Sequence, residues 1–503
     1  VRLSLAGCGP HPWTSVERTR QAFLRALGAR FTLRHVAEDA PLDPTSDALL
    51  NFSGPFAWEL TPHPDMPLLF AMHGGAVLNQ EALRGYLGRL ESTDTLIVNC
   101  TSDMAVLRRM FAGEAPRLCH LPLPVDPKIF HPPPSRRRCR ERLPIGEPDF
   151  VVGFVARLLP QKNLHQFLRL LARLVQRLAP RSVLGLIVGS YWIDYPVLPY
   201  VTAEYPQRIA ALIEELDLGD HVAWFPGGVS DRDLALCYGA MDVLVHPTAS
   251  LDENFGYAPV EAMACGTPVV GSAYGGLKDT IVPGETGFLM PTWVTAGGLR
   301  IDWIQGLDDL ERLLLDADLR ARLSASAVRR VREEYSYRAF AHRLRAAVTG
   351  AVHAHRNGEA RPLTLAPPPQ EPPPSGLLPA TQPPWEHYQE VVACYVSGPP
   401  PEPAPDSHVQ LAAPLEPAGD GALRLADPAW PAVYWVDPSS PLSRAAGVRV
   451  GEGGQGGEGL LALAERCREP VLCRDLIETG LADPQRLREL IAAGLLLGSP
   501  GNR

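Results

Sequence analysis

Glu253 and Glu261 stand with seven residues between them in "LDENFGYAPVEAMACGTPVVGSAYGG", residues 251–276, where almost everything else is small or apolar. Carboxylates so placed can accept hydrogen bonds from paired hydroxyls, such as those of ribose or of a sugar. Two acids near a helix start can also do no more than stabilise its dipole. A second stretch, "GFVARLLPQKN", carries two cations, Arg157 and Lys162, just beyond a strand-like run. Two cations together with helix N-termini and glycine N–H groups form a site for a diphosphate. No Asp-x-Asp pair stands at a comparable strand end, so these cations rather than a metal ion are expected to hold it. Together the four residues describe a pocket for a nucleotide sugar, with neither metal nor cofactor expected.

Composition strengthens the choice of lysine. Of 47 basic residues only Lys128, Lys162 and Lys278 are lysine, so 47 − 3 = 44 are arginine. A lysine retained in such a chain is expected to matter as a compact point charge, which a guanidinium imitates poorly.

The elements around these residues follow from local rules. Pro259 suits a first helical position, where its missing N–H costs nothing. "PVEAMAC" then reads as a short helix stopped by Gly266, with Glu261 in its first turn and Glu253 in the preceding loop. "PVVGSA" reads as a buried strand and Gly275-Gly276 as a tight turn. Lys162 is expected to open the helix that follows Arg157.

The 503 residues suffice for about three domains. Residues 1–145 alternate strand-like runs ("RLSLAG", "FTLRHV", "ALLNFS", "PLLFAMHGG", "TLIVNCTS", "RLCHLPL") with helix-like ones, which implies a parallel sheet covered by helices. A second alternating set fills residues 146–355. The arginine-rich "SRRRCRERLPIGEPD" between them reads as a solvated linker helix. The fold class is α/β, with two doubly wound Rossmann-like domains facing a cleft. Ligands in such sheets bind beyond the carboxyl ends of the strands. Residues 356–405 are proline-dense and read as an extended spacer, within or beyond which "PWEHYQEVVACYVSG" has the pattern of a short amphipathic helix. Residues 406–503 read as a small α+β, winged-helix-like module, with "GALRLADPAWPAVYWVDP" as two strands.

A net charge of −9 argues against a general nucleic-acid binder. No apolar run approaches a membrane span, which limits any membrane contact to a peripheral one. The start, "VRLSLAGC", has too short an apolar part for a signal peptide and reads as the first strand. Nine scattered cysteines without metal-ligand spacing fit reduced thiols and a cytoplasmic protein.

The chain resembles the family 4 (group 1) glycosyltransferases of the GT-B fold. The resemblance rests on "GFVARLLPQKN" and "HPTASLDENFGYAPVEAMACGTPVVGSAYGGLKDTIVPGETGFL", and more weakly on "AMHGG", "VNCTSDMAVLRRMF" and "LPVDPKIFHP", within residues 1–350. It implies that Arg157 and Lys162 hold the diphosphate and stabilise it as it leaves, and that Glu261 binds the ribose. It places Glu253 at the transferred sugar, with Asn254, Phe255 and Gly256 presenting backbone N–H groups, and puts His73 at a first-domain strand end facing the donor. The reaction so implied is a retaining, metal-independent transfer to an unspecified acceptor, by front-face attack, with the leaving phosphate taking the acceptor proton. The loop "AGCGPHPWTSVERT" lacks the family's more usual glycine-rich run. The alternative is a non-catalytic protein that binds a sugar or nucleotide and docks a partner through its C-terminal module.

Overall fold

The computed structural model describes residues 1–12, 14–37, 42–52, 63–79, 87–192, 204–225, 228–249, 253–295, 298–366, 393–417, 423–425 and 462–500. Two six-stranded sheets dominate it. The first is built from β1 (Arg2–Ala6), β2 (Thr32–His35), β3 (Ala48–Asn51), β4 (Leu68–Ala71), β5 (Thr95–Val98) and β6 (Arg117–His120), in the order β2-β1-β3-β4-β5-β6. Every pairing in it is parallel. The second comprises β7 (Phe150–Val155), β8 (Val183–Val188), β9 (Val222–Phe225), β10 (Val243–His246), β11 (Val269–Ser272) and β12 (Gly287–Met290), in the order β12-β11-β10-β7-β8-β9, again all parallel. The inner strands are apolar runs because helices cover both faces: all six residues of β7, "FVVGFV", are buried.

In the second sheet the strand order reverses between β7 and β10, and the loops leaving those two strands carry Lys162 and Glu253. A crevice at such a reversal is where an open α/β sheet takes its ligand.

The chain crosses between domains more often than the sequence suggests. Helix α1 (Thr14–Gly28) belongs to the first domain, and it packs against α2 (Tyr337–Arg356), which follows the second. Phe23 and Phe340 meet edge to face at 5.4 Å, and Arg345 Nε donates to the Ala26 carbonyl over 2.8 Å. Residues beyond α2 then run along the first domain, where Ser92 N donates to the Arg361 carbonyl (3.0 Å) and Ala112 N to that of Thr364 (2.8 Å). The start of the expected spacer 356–405 is therefore paired backbone. Its middle, 367–392, lies outside the described residues, which include only the end of "PWEHYQEVVACYVSG".

Two further expectations change. The arginine-rich segment forms a helix, Arg136–Glu141, but it is not merely solvated: Arg140 Nη2 lies 2.5 Å from Asp242 Oδ2 of the second domain. The C-terminal module is likewise not held apart by its spacer. Its three antiparallel strands, β15 (His408–Leu411), β18 (Val471–Leu472) and β19 (Leu496–Ser499), pair in the order β18-β15-β19. The module rests on the hairpin of β13 (Thr292–Thr295) and β14 (Gly298–Ile301), whose buried Arg300 donates to the Gly494 carbonyl over 2.8 Å. Arg173 pairs with Glu469 at 2.7 Å. Of "GALRLADPAWPAVYWVDP", only the strand β17 (Leu423–Leu425), paired with β16 (Leu415–Pro417), falls among the described residues. No helix among the described residues is long and apolar enough to cross a membrane.

Asp279 makes one of the ties between domains. Its carboxylate accepts from Thr101 N (2.7 Å) and Thr101 Oγ1 (2.6 Å), so a second-domain side chain caps the first-domain helix α3 (Thr101–Arg109). Loss of a helix cap typically costs about 1 kcal/mol. Asp279→Ala is accordingly expected to lower the urea midpoint by that equivalent without changing the slope of the transition.

Candidate active site

The loops after β7 and β10 are bound to each other before any side chain reaches into the crevice. Asn163 adopts a left-handed conformation (φ 58°) and donates from Nδ2 to the Pro247 carbonyl over 2.7 Å. Ala249 N donates to the Gln161 carbonyl over 3.1 Å. Lys162 therefore lies in a 3₁₀ turn, Pro160–Lys162, rather than opening the helix, which starts at Leu164.

From that turn Lys162 Nζ reaches Glu253 Oε2 at 2.6 Å and donates to Thr248 Oγ1 at 3.3 Å. His246, the last residue of β10, places Nε2 3.3 Å from the same Glu253 oxygen. All three charged or titratable side chains are buried. Burial is the largest influence on Glu253 and opposes its ionisation, but the Lys162 charge and the His246 hydrogen bond outweigh it and hold the carboxyl below the ordinary range. The site thus maintains a desolvated carboxylate beside a desolvated ammonium. Sequence reasoning missed His246, although its position at the carboxyl end of a strand beside the order reversal was a usable signal.

Arg157, by contrast, is exposed, with its guanidinium 5.1 Å over the Trp192 ring. The two cations read together from the sequence thus occupy different settings, one sealed and one at the surface.

The helix carrying Glu261, α4 (Tyr257–Ala264), begins two residues before Pro259, which puts Glu261 in its second turn. Proline is tolerated there because the first turn's N–H groups have no intrahelical acceptor in any case. Gly256 precedes the helix with φ +83°, and a Cβ on it would lie 2.8 Å from Leu277 Cδ2. A Cβ on Gly276 would lie 2.4 Å from the Asn254 and Phe255 backbone, so this glycine lets the turn support the Glu253 loop directly. Gly276 N donates to the Glu253 carbonyl over 2.8 Å. Phe255 is buried against Tyr257 and Tyr335.

Glu261 is buried and meets Arg18 from the first domain: Arg18 Nη1 lies 3.2 Å from Oε1, while its other terminal nitrogen pairs with Asp231. Tyr238 OH donates to Oε2 over 3.1 Å. Burial raises the carboxyl to about 7, against the lowering effects of Arg18 and the Tyr238 hydrogen bond. Arg18 had no sequence signal, since it sits 243 residues from its partner on an ordinary amphipathic helix.

Another first-domain residue, Asn99, meets this assembly. Asn254 Nδ2 donates to Asn99 Oδ1, at the end of β5, over 3.1 Å. His73, after β4, lies against Phe52 (4.1 Å between ring centroids) and is lowered to about 4, chiefly by burial and next by His11. It is therefore neutral near pH 7. One ring nitrogen hydrogen-bonds the Phe52 backbone, and buried Nε2 finds no partner among the described residues. Because a backbone carbonyl can only accept, Nε2 is left with a lone pair that can accept from a hydroxyl.

Known proteins match this arrangement. Residues 135–329 match the family described as glycosyl transferases group 1. A D-inositol 3-phosphate glycosyltransferase of Stackebrandtia nassauensis is 33% identical over 47% of this chain and 49% of the relative, and one of Kineococcus radiotolerans is 30% identical over 55% and 65%. The chain thus spans 49% and 65% of the length of those relatives. Among solved structures, sucrose-phosphate synthase of Thermosynechococcus elongatus aligns with TM-score 0.55 at 22% identity, covering 70% of this chain and 99% of that one. Anabaena HepE in complex with UDP aligns with TM-score 0.53 at 18% identity, covering 69% and 99%. The two facing Rossmann-like domains have the GT-B fold, and the likeness to the group 1 glycosyltransferases lies in residues 135–329, which hold the Lys162–Glu253 crevice.

Proposed function

We propose that the chain transfers a sugar from a nucleoside-diphosphate sugar to an acceptor, with retention at the anomeric carbon and without a metal ion. The carrying observation is the buried Glu253 carboxylate held between Lys162 and His246 at the strand-order reversal. In this reading Glu261 accepts from the ribose hydroxyls. Glu253 and the backbone N–H groups of Asn254, Phe255 and Gly256 meet the sugar, and the His73 Nε2 lone pair accepts from a sugar hydroxyl. An ammonium has three N–H bonds; two of Lys162's go to Glu253 and Thr248 among the described residues, and the third is assigned to a phosphate oxygen. Arg157 approaches the diphosphate from the surface.

The bond between the anomeric carbon and the phosphate oxygen breaks, and the bond to the acceptor oxygen forms on the same face. The acceptor proton passes to the departing phosphate oxygen. Positive character grows on the sugar and negative charge on the diphosphate. A fixed ammonium in a sealed crevice stabilises that negative charge without reorganising. Apposition of the two domains excludes water, which would otherwise take the sugar. The names of the relatives make inositol phosphate the first acceptor to try, and HepE makes UDP the first nucleotide. A partner-docking role for residues 406–503 is a separate proposal, and packing of the module on the β13–β14 hairpin equally supports a stabilising appendage.

The deciding experiment screens nucleotide sugars for thermal protection and hydrolysis, with and without a chelator, and identifies the anomer made on an acceptor. Binding without turnover of any donor would favour the non-catalytic alternative. Lys162→Ala is expected to lower turnover by roughly a hundredfold or more, corresponding to about 3 kcal/mol of barrier. Lys162→Arg is expected to be impaired as well, because a guanidinium does not fit the sealed space between Glu253 and Thr248. Wild-type rates in the arginine variant would contradict the point-charge role.

Glu261 sets a pH dependence. Its folded value of about 7 exceeds the ordinary 4.5, so between those values the folded protein keeps a proton that the unfolded chain loses. Its contribution to stability therefore falls as pH rises through that window and is level above it. Ribose binding has the opposite trend, because the ionised carboxylate is the better acceptor. Calorimetry is expected to show nucleotide affinity increasing from pH 6 to pH 8, with the part due to this residue absent in Glu261→Gln. Glu253→Gln should weaken the bare nucleoside diphosphate less than Glu261→Gln does, and equal losses would contradict the assignment.

A further inference from the structure

The residues beyond the proline-dense stretch return to the cleft. Tyr395 lies outside the matched family region, yet its side chain is fully buried, stacked on Tyr274 with ring centroids 5.7 Å apart. Its carbonyl accepts from Gly275 N over 3.0 Å, and the next amide, Gly276 N, donates to the Glu253 carbonyl. Lys278 Nζ holds the carbonyls on either side, Cys394 at 2.9 Å and Val396 at 3.0 Å. Ser397 Oγ accepts from Thr292 N over 2.8 Å and donates to the Thr292 carbonyl over 2.9 Å. All these bonds are to the second domain.

The hydroxyl of Tyr395 goes elsewhere. It donates to Asp103 Oδ1 of the first domain over 2.6 Å. That same oxygen accepts from Ala76 N over 2.8 Å, and the Asp103 carboxylate fills the space where a Cβ on Gly75 would sit. Asp103 thereby shapes the turn His73-Gly74-Gly75-Ala76. An appendage that served only to cover the second domain would need no polar group aimed across the cleft. A buried hydroxyl bonded to a buried carboxylate is instead a directional tie, costly to leave unmade.

We propose that Tyr395 is a positioning residue of the active site, which sets the Glu253 loop of one domain relative to the His73 turn of the other. The proposal rests on the reading of Glu253 and His73 as donor contacts. Its chemistry is indirect: the carbonyl fixes Gly275-Gly276 and so Glu253, and the hydroxyl fixes Asp103 and so His73.

The test uses the full chain and the conservative variant Tyr395→Phe, which keeps the ring and the carbonyl but removes the cross-domain bond. Hydrogen exchange is measured in peptides covering 73–79 and 273–279, alongside transfer kinetics and calorimetry of a nucleoside diphosphate. Exchange is expected to quicken in both peptides. The kcat should fall about tenfold, as befits a hydrogen bond to a charged group, with nucleotide affinity unchanged within about twofold. Tyr395→Phe in an Asp103→Asn background should have a smaller effect than in the wild type, because the route runs through that carboxylate. Unchanged exchange in either peptide would overturn the coupling, and unchanged kcat with altered exchange would overturn the positioning role. If the wild type transfers sugar from no donor, the functional reading fails, and exchange alone decides: a response in both peptides keeps the clasp, and anything less removes it.

Discussion

The crevice depends on one desolvated ion pair. Lys162 and Glu253 meet at 2.6 Å with almost no water access, and neither could be tolerated there alone. Removing one partner of such a pair typically costs about 3–5 kcal/mol, because the other is left buried and uncompensated. Its surroundings follow from that demand. His246 adds a hydrogen-bonding partner to Glu253 and Thr248 one to Lys162, and the left-handed Asn163 locks the Lys162 turn to the loop after β10. Gly276 allows a second turn close enough to support the Glu253 backbone. The pair is also where the second sheet reverses its strand order, so its position is inherited from topology rather than from local sequence.

Glu261 shows the complementary arrangement. It is as buried as Glu253, but its cation comes from the other domain and is shared with Asp231. The two acids, with seven residues between them, therefore differ in their readiness to ionise, one held below the ordinary range and the other raised to about 7. Similar burial with different partners gives different chemistry.

How far the sequence revealed this depended on the range of each interaction. Strands β1, β3, β4 and β5 were readable as apolar runs, because a parallel strand buried on both faces must be one. The Gly266 stop and the buried strand after it were equally local. The start of α4 was misplaced because proline fits any first-turn position, so its presence at residue 259 did not identify the first one. Arg18, Asn99 and Tyr395 were invisible, since their partners lie 243, 155 and 292 residues away and nothing in their own neighbourhoods requires them. Arg136 and Arg140 looked solvated because Asp242, their partner, is about a hundred residues distant.

The helix α2 leaves the second domain to complete the first, so up to residue 366 the chain passes between domains twice: once outward, before β7, and once back, near Tyr335. These passages lie side by side, with Val125 N donating to the Tyr335 carbonyl over 2.9 Å. Two covalent strands pinned to each other behave mechanically as a single pivot. A swing of one domain on the other that keeps this bond turns about that point, and bond rotations there are amplified with distance into the mouth of the crevice. Backbone stiffness at these few residues thus bears on how widely the molecule can gape.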